Sequence, residues 1–279
     1  SKKEMARATR KKTKKTGDNA IWAYYQKITD GSEKVGRWVR LMYEYLVTGM
    51  DEKRFFFDQK KANDAINWIE SHCFHTEGPL APGPLALALW QKAFISAIFG
   101  ILDDEGNRVC REALLLVGRK NGKSALASAI GRYVWQVDGG FGARVFTIAP
   151  KLEQADIVYN NIWQQTQLDP EWQALKELAS EKDEHNKRIN DDSMLARHRM
   201  TDLFIPGTNS TVKKIAFSSK KSDGFNPSLC ICDEVAAWEG DKGLKQYEVM
   251  ASAMGARPDG LLLSCTTSGY INDSIFDEL

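Results

Sequence analysis

The stretch LLLVGRKNGKSALASAIG, residues 114–131, decides the fold, because it joins an apolar strand pattern to a helix pattern through a glycine-bearing turn. A strand, a Gly-Lys-Ser loop and a helix in this order form a phosphate-binding loop, whose backbone N–H groups hold phosphate at the positive helix end. The usual loop has four residues between its first glycine and Gly-Lys-Ser. Here three residues separate Gly118 from Gly122. The sequence therefore predicts a nucleotide site with a shortened loop.

From Arg111 onward, short apolar runs alternate with amphipathic helix patterns. The helix patterns cover 123–137 and 151–166, and the polar stretch 180–202 is predicted to be a long connection or a mobile helix. The candidate strands are 113–117, which is expected to be buried, 143–149, 211–217, 228–232 and 260–265. Strands that alternate with helices predict an α/β fold with a mainly parallel sheet and helices on both faces.

Residues 18–75 show helical spacing, and a proline-rich stretch, 78–90, separates them from the rest of the chain. The aromatic residues of IWAYY, RWVRLMYEY and RFFF are expected to form the core of this helical region. We therefore predict three segments: a basic flexible arm over 1–16, a helical region over 17–77 and a P-loop ATPase domain over 78–279.

The charge of the chain is unevenly distributed. Residues 1–15 carry eight Lys or Arg and one Glu, so the remainder sums to −6 although the whole chain is +1. Such an arm is either a solvated terminus or a contact for nucleic-acid phosphate, and both interpretations stay open.

The composition is that of an ordinary globular protein, with 43% hydrophobic and 27% charged residues. No apolar run reaches the roughly 18 to 20 residues that span a bilayer. The five cysteines show no paired-motif spacing, which indicates reduced thiols inside a cell.

Two adjacent carboxylates, Asp233 and Glu234, end the apolar run SLCICDE (228–234). In open α/β sheets, ligands bind beyond the carboxyl ends of the strands. Asp233 is then predicted to hold Mg²⁺ together with the Ser124 hydroxyl, while Lys123 contacts the β- and γ-phosphates. Glu234 is predicted to polarise the water that attacks the γ-phosphate. The loop and the acidic pair together predict a nucleotide hydrolase.

Two weaker patterns fit the same site. The run SCTTSG (264–269) ends another strand pattern, and its hydroxyls are suited to report the presence of a γ-phosphate. Upstream, Gln91 follows Trp90, and a glutamine carboxamide can pair with an adenine edge as donor and acceptor together.

Four motifs occur in an order that resembles the large terminase subunit of tailed bacteriophages: Trp90-Gln91, GRKNGKS (118–124), CICDE (230–234) and CTTSG (265–269). The loop of that family is characteristically short and has an arginine just after its start. The resemblance covers about residues 80–279, and 18–75 fits the lid portion of the family.

The resemblance implies a RecA-like ATPase of the ASCE type that uses ATP and Mg²⁺ to package double-stranded viral DNA into a procapsid. Its implied partners are the DNA, the portal protein, the small terminase subunit and further copies of itself in a ring, usually a pentamer. It implies a place in the host cytoplasm, with transient docking on the procapsid.

The resemblance also assigns roles to residues. Glu234, Arg119 and Lys123 are catalytic, and Ser124 and Asp233 are the Mg²⁺ ligands. Thr266 and Thr267 couple hydrolysis to movement. The implied nucleotide contacts are Gln91, Gly118, Arg119, Lys120, Asn121, Gly122, Lys123, Ser124, Ala125, Thr266 and Thr267.

The sequence departs from the family in two places. Family members usually carry a second, RNase H-like nuclease domain, and no nuclease site is expected within these residues. Some members also have Arg-Gly before the acidic strand, which supplies an arginine finger to a neighbour, whereas this chain has Asp223 before Gly224. The remaining candidates for a trans-acting cation are Lys220, Lys221, Arg197, Arg199 and Arg257.

Three rival functions fit parts of this pattern. A superfamily 2 helicase shares the upstream glutamine, the acidic pair and the Ser/Thr segment, but it needs a second RecA-like domain. A nucleotide-dependent kinase or carrier does not need a glutamate directly after the strand aspartate. A regulatory ATP-binding domain would bind nucleotide without turnover stimulated by DNA or by assembly.

Overall fold

The structure, a computed structural model, describes residues 19–182, 185, 190–216, 226–238 and 240–267. The chain forms two compact units. The helical unit takes residues up to Trp68 and Ala86–Arg111, and the sheet unit takes Ile69–Leu85 and the residues from Glu112 onward. This division differs from the predicted boundary after residue 77, and the predicted arm over 1–16 lies outside the described residues.

The helical unit contains the helices expected over 18–75, followed by one more helix and a small antiparallel sheet. Its elements are α1 (Ala20–Thr29), α2 (Arg37–Asp51), β1 (Phe56–Phe57), the beginning of α3 (Gln59–His72), α4 (Leu89–Gly100) and β2 (Ile101–Leu102). Asn19 caps α1 by accepting the backbone N–H of Ile21 at 3.0 Å. Ala93 and Ala97 of α4 share one core with Ile21, which is why residues 86–111 group with these helices.

The expectation that the aromatic residues of this region form its core is only partly correct. Tyr24 and Tyr43 are buried and pack edge to face, with ring centroids 4.9 Å apart. In contrast, Trp38 is 77% exposed and Tyr45 is 55% exposed on α2. The prediction was wrong for these two residues because α2 is apolar on more than one face, so only part of its apolar surface reaches the core.

Within the described residues, the sheet unit is built on a seven-stranded sheet of order β3-β9-β8-β4-β7-β6-β5. Its strands are β3 (Glu112–Leu116), β4 (Arg144–Ala149), β5 (Arg197–His198), β6 (Leu203–Ile205), β7 (Ser210–Ala216), β8 (Leu229–Asp233) and β9 (Leu261–Thr266). The pairs β3–β9, β9–β8, β8–β4 and β4–β7 are parallel. The strand β6 pairs antiparallel with both of its neighbours, β7 and β5. The mainly parallel sheet and all five candidate strands are confirmed. The strand β5 lies inside 180–202, where a connection or a helix was expected, so that part of the prediction was wrong.

Helices cover both faces of this sheet. They are α5 (Lys123–Tyr133), α6 (Leu152–Leu168), α7 (Pro170–Ser180) and α8 (Gly240–Ala253). On one face, Cys230 and Cys232 of β8 share a buried cluster with Met250 of α8. On the other face, Ile231 approaches Gly131 of α5 so closely that a Cβ on this glycine would lie 2.9 Å from it. Alternate residues of β8 therefore pack on opposite helical layers.

The strand β3 departs from the expectation of a buried strand. Among the described residues it pairs only with β9, and it therefore forms the edge strand on that side of the sheet. Leu115 is 3% exposed, but Leu114 and Leu116 are 42% and 47% exposed. The prediction was wrong because the position of a strand in the sheet depends on distant pairings.

A buried ion pair lies at the far end of α5. The guanidinium of Arg132 contacts the Asp169 carboxylate, and both side chains are almost inaccessible, at 1% and 4%. Arg132 also donates to the carbonyl of Gln165 at 3.3 Å and to the carbonyl of His72. The same carboxylate is 3.1 Å from Nδ1 of His72. These contacts fasten the end of α3 to the junction between α6 and α7.

In the portion of the chain that the structure describes, no helix combines the length and the apolar character required to cross a bilayer.

Candidate nucleotide-binding site

The parallel register brings three of the predicted motifs together at the carboxyl ends of neighbouring strands. Leu116 pairs with Thr266, and Asp233 pairs with Cys265. The carboxyl ends of β3, β9 and β8 therefore lie side by side, and the loop, the Thr-Thr segment and the acidic pair leave the sheet together. This is the edge at which open α/β sheets bind their ligands.

The short loop over Gly118–Gly122 is exposed along its whole length and turns sharply into α5. Lys120 and Gly122 have φ values of 64° and 74°, which lie in the left-handed region. The Asn121 carboxamide donates to the Gly118 carbonyl at 3.2 Å, which closes the turn. The N-cap residue of α5, Gly122, has no side chain that could accept the first backbone N–H groups of the helix. Such N–H groups at a helix end can bind an anion.

The left-handed conformation at Gly122 leads to a first prediction. We expect Gly122→Ala to weaken ATP binding at least tenfold, because a Cβ disfavours φ of 74° by about 1–2 kcal/mol and relaxation would move the loop. Isothermal titration with a slowly hydrolysed ATP analogue measures the effect. Gly255→Ala is the matched control, since a Cβ there meets nothing within 4 Å. Unchanged affinity in Gly122→Ala would contradict the predicted role of the loop.

Lys123, the first residue of α5, lies between the two predicted carboxylates. Its Nζ contacts Oε1 of Glu234 and is 3.2 Å from Oδ1 of Asp233. The lysine side chain is only 9% exposed. Burial by itself lowers the pKa of Lys123, but the two carboxylates outweigh it, so its pKa is raised and the ammonium is charged at neutral pH.

Glu234 occupies an unusual backbone position just beyond β8, with φ 51° and ψ 50°. While Oε1 contacts Lys123, Oε2 accepts the backbone N–H and the hydroxyl of Thr267 at 3.3 and 3.4 Å. Burial works to raise the pKa of Glu234, but Lys123 and Thr267 outweigh it, so its pKa is lowered. The carboxylate is therefore ionised at neutral pH, as a group that polarises water must be.

Asp233 is the more deeply buried carboxylate of the pair, with its side chain 7% exposed. Burial raises its pKa despite the opposing effect of Lys123. The Asp233 carboxylate and the half-buried Ser124 hydroxyl are hard oxygen donors, the type that Mg²⁺ prefers. This donor set fits a magnesium ion.

The Thr-Thr segment connects the neighbouring strand to the acidic pair. Thr266 is fully buried, and its hydroxyl accepts the backbone N–H of Ala236 at 3.1 Å. Thr267 donates to the Glu234 carboxylate from its backbone N–H and its hydroxyl. Thr267 thus touches Glu234 through both its backbone and its hydroxyl, whereas the coupling role of the segment stays a prediction.

Other predicted residues lie on the loop, in α5 and in the helical unit. The Arg119 side chain is exposed on the loop, and Ala125 is half-buried in α5. Gln91 lies in the helical unit, where its Oε1 accepts the backbone N–H of Ala88 at 2.8 Å and completes a capping interaction. The adenine contact assigned to Gln91 stays a prediction.

The candidates for a trans-acting cation differ in their surroundings. Arg197 pairs with Asp192 at 2.8 Å, and Arg199 pairs with Asp202 through two bonds of 2.6 and 2.7 Å. Arg257 donates to Ser228 before β8, at the opposite edge of the sheet from the site. Lys220 and Lys221 lie outside the described residues.

Comparison with known proteins identifies the family. Residues 89–279 match the family model described as terminase large subunit, ATPase domain. The chain belongs to this family. Among its relatives, the terminase large subunit of Enterobacteria phage HK97 is 27% identical over 203 residues, which cover 72% of this chain and 36% of the relative. The terminase large subunit of Lactococcus phage p2 is 25% identical over 225 residues, which cover 75% and 38%.

The crystal structure of the HK97 bacteriophage large terminase has a similar fold, with a TM-score of 0.58 at 22% sequence identity. The match covers 77% of this chain and 40% of that structure. The predicted RecA-like α/β architecture is thereby confirmed. As a terminase ATPase domain, the chain is a nucleotide-binding ATPase, and it spans well under half the length of the relatives it matches.

Proposed function

We propose that this terminase ATPase domain hydrolyses ATP at the carboxyl edge of its sheet to drive double-stranded DNA into a procapsid. One observation carries the catalytic part of this proposal. Lys123 of the loop, Asp233 and Glu234 of the acidic strand, and Thr267 of the coupling segment form one contacting cluster. These residues come from three separate segments, and a phosphate at the loop would meet all three.

The contacts suggest how hydrolysis is controlled. The Lys123 ammonium contacts and neutralises Glu234. Lys123 turns toward the β- and γ-phosphates when nucleotide occupies the loop, and this releases one oxygen of Glu234 to orient and deprotonate the attacking water. The other oxygen stays with Thr267, so the carboxylate keeps its direction.

The remaining charges are assigned in the same way. Ser124 and Asp233 would hold Mg²⁺, which supplies charge neutralisation on the phosphate oxygens when bound. Arg119, which is exposed on the loop, would stabilise negative charge on the γ-phosphate. A cation from a neighbouring subunit would complete the site, and such a contribution is worth about 10³ to 10⁵ in rate.

The proposed biological setting is that of the family. We place the complete protein in the host cytoplasm, transiently docked on the portal of the procapsid as a ring, with five subunits as the expected number. The small terminase subunit and double-stranded DNA are its further proposed partners. The relatives from phages HK97 and p2 are terminase large subunits, which supports this setting for the whole protein.

A packaging assay tests the proposal. The complete large subunit containing this chain is incubated with portal-bearing procapsids, linear DNA and ATP, and DNA protected from nuclease is measured. We expect ATP-dependent protection that is lost in Glu234→Gln. Strand separation of duplex DNA without protection would instead indicate a helicase and would contradict the proposal.

A further inference from the structure

The backbone at Glu234 adopts a conformation that its neighbours must impose. Its φ of 51° and ψ of 50° place a residue with a Cβ in the left-handed region, which such residues rarely occupy. Unusual backbone conformations of this kind persist when the surrounding structure fixes them, and they cluster at functional sites. The contacts on either side of Glu234 therefore show which residues fix the orientation of its carboxylate.

Trp238 contributes a hydrogen bond from the buried interior to the backbone next to Glu234. Its indole Nε1–H donates to the carbonyl of Asp233, the residue before Glu234, at 3.0 Å. The Trp238 side chain is fully buried, and its ring packs edge to face on Tyr247 with centroids 6.5 Å apart. The donor is thus held in a fixed orientation, and it determines the direction of the peptide that enters Glu234.

The residues between Glu234 and Trp238 form a tight turn that completes the arrangement. The Ala237 N–H donates to the Glu234 carbonyl at 2.8 Å, and the Trp238 N–H donates to the Val235 carbonyl at 3.0 Å. With the indole bond to Asp233, both peptides that flank Glu234 are held by hydrogen bonds from the same turn.

We infer that Trp238 is a positioning residue for the catalytic carboxylate: its indole N–H holds the Asp233–Glu234 peptide so that Glu234 points at the phosphate loop. This inference rests on the proposed role of Glu234 in hydrolysis. Trp238 itself is fully buried. Its effect is therefore expected on turnover and not on nucleotide affinity.

Trp238→Phe tests the inference, because phenylalanine keeps an aromatic ring and removes the N–H donor. The matched control is Trp135→Phe. Trp135 is also almost fully buried, at 1% exposure, and its indole nitrogen has no hydrogen-bond partner within the described structure. Both variants lose the same ring volume from a buried position, but only Trp238→Phe loses an indole hydrogen bond. Thermal unfolding of each variant sets an assay temperature at which both are folded.

A double-mutant cycle separates positioning from a general structural effect. Single-turnover ATP hydrolysis, with the 279-residue chain in excess, is measured for wild type, Trp238→Phe, Glu234→Gln and the double variant. We expect Trp238→Phe to lower the rate constant about 10- to 100-fold, with ATP affinity within about twofold of wild type. In the Glu234→Gln background, Trp238→Phe is expected to have no further effect, since the group that it positions is gone.

The outcomes distinguish this inference from the proposed function. If Trp238→Phe lowers the rate equally in both backgrounds, or if Trp135→Phe produces the same loss, positioning through the indole is wrong while hydrolysis by Glu234 stands. If Trp238→Phe hydrolyses ATP at the wild-type rate and Glu234→Gln is inactive, positioning through the indole is again wrong while hydrolysis by Glu234 stands. If Glu234→Gln is fully active, the proposed base and the inference fail together.

Discussion

Glu234→Gln is expected to lower the maximal rate of ATP hydrolysis about 10²- to 10⁴-fold while ATP binding persists. The amide keeps the shape of the side chain and can still accept the N–H of Thr267. It cannot carry a negative charge or take a proton from the attacking water. Phosphate release measures the rate, and equilibrium titration with ATP measures binding.

Glu44→Gln is the matched control for this change. Glu44 is exposed on α2 in the helical unit, so the same chemical substitution there should leave hydrolysis at the wild-type rate. Equal hydrolysis by Glu234→Gln and Glu44→Gln would remove Glu234 from the mechanism. Loss of binding together with turnover would assign Glu234 to nucleotide binding instead.

Arg132→Met is expected to reduce the free energy of unfolding by about 3–5 kcal/mol. Methionine keeps much of the volume of the side chain but leaves the buried Asp169 carboxylate without its cation. It also removes the donor to the carbonyls of His72 and Gln165. Urea unfolding followed by circular dichroism measures the change in stability.

Arg197→Met is the corresponding surface control. The Arg197–Asp192 pair has side chains 41% and 20% exposed, so its loss should cost about 0–1 kcal/mol. A similar cost for both variants would mean that the Arg132 pair contributes no more than an ordinary surface ion pair. The difference between the two variants, and not either value alone, tests the role assigned to burial.

The five main strands and the location of the candidate site were predictable because the sequence patterns that indicate them are local. Apolar runs such as 228–232 and the Gly-Lys-Ser turn consist of consecutive residues. The carboxyl ends of parallel strands lie on the same side of the sheet, so the motifs that follow them were expected to meet there. The strands β5 and β6 have two and three residues, which is too short for a periodic pattern. The exposed leucines of β3 depend on strand order, which no local pattern contains.

The features that the sequence analysis missed depend on contacts between residues that no motif relates. Arg132 and Asp169 are 37 residues apart, and no motif relates them. The left-handed backbone at Glu234 is unexpected for a glutamate and was not predicted from its type. Trp238 stands four residues after Glu234 in the sequence, but only the structure shows that its indole reaches back to Asp233.

ATP turnover by the purified wild-type chain, measured with and without linear double-stranded DNA at fixed salt, tests the central claim most directly. Glu234→Gln serves as the inactive reference. The account predicts hydrolysis that depends on Glu234 and increases when DNA is added. Hydrolysis that DNA does not change and that persists in Glu234→Gln would contradict a DNA-translocating ATPase at this site.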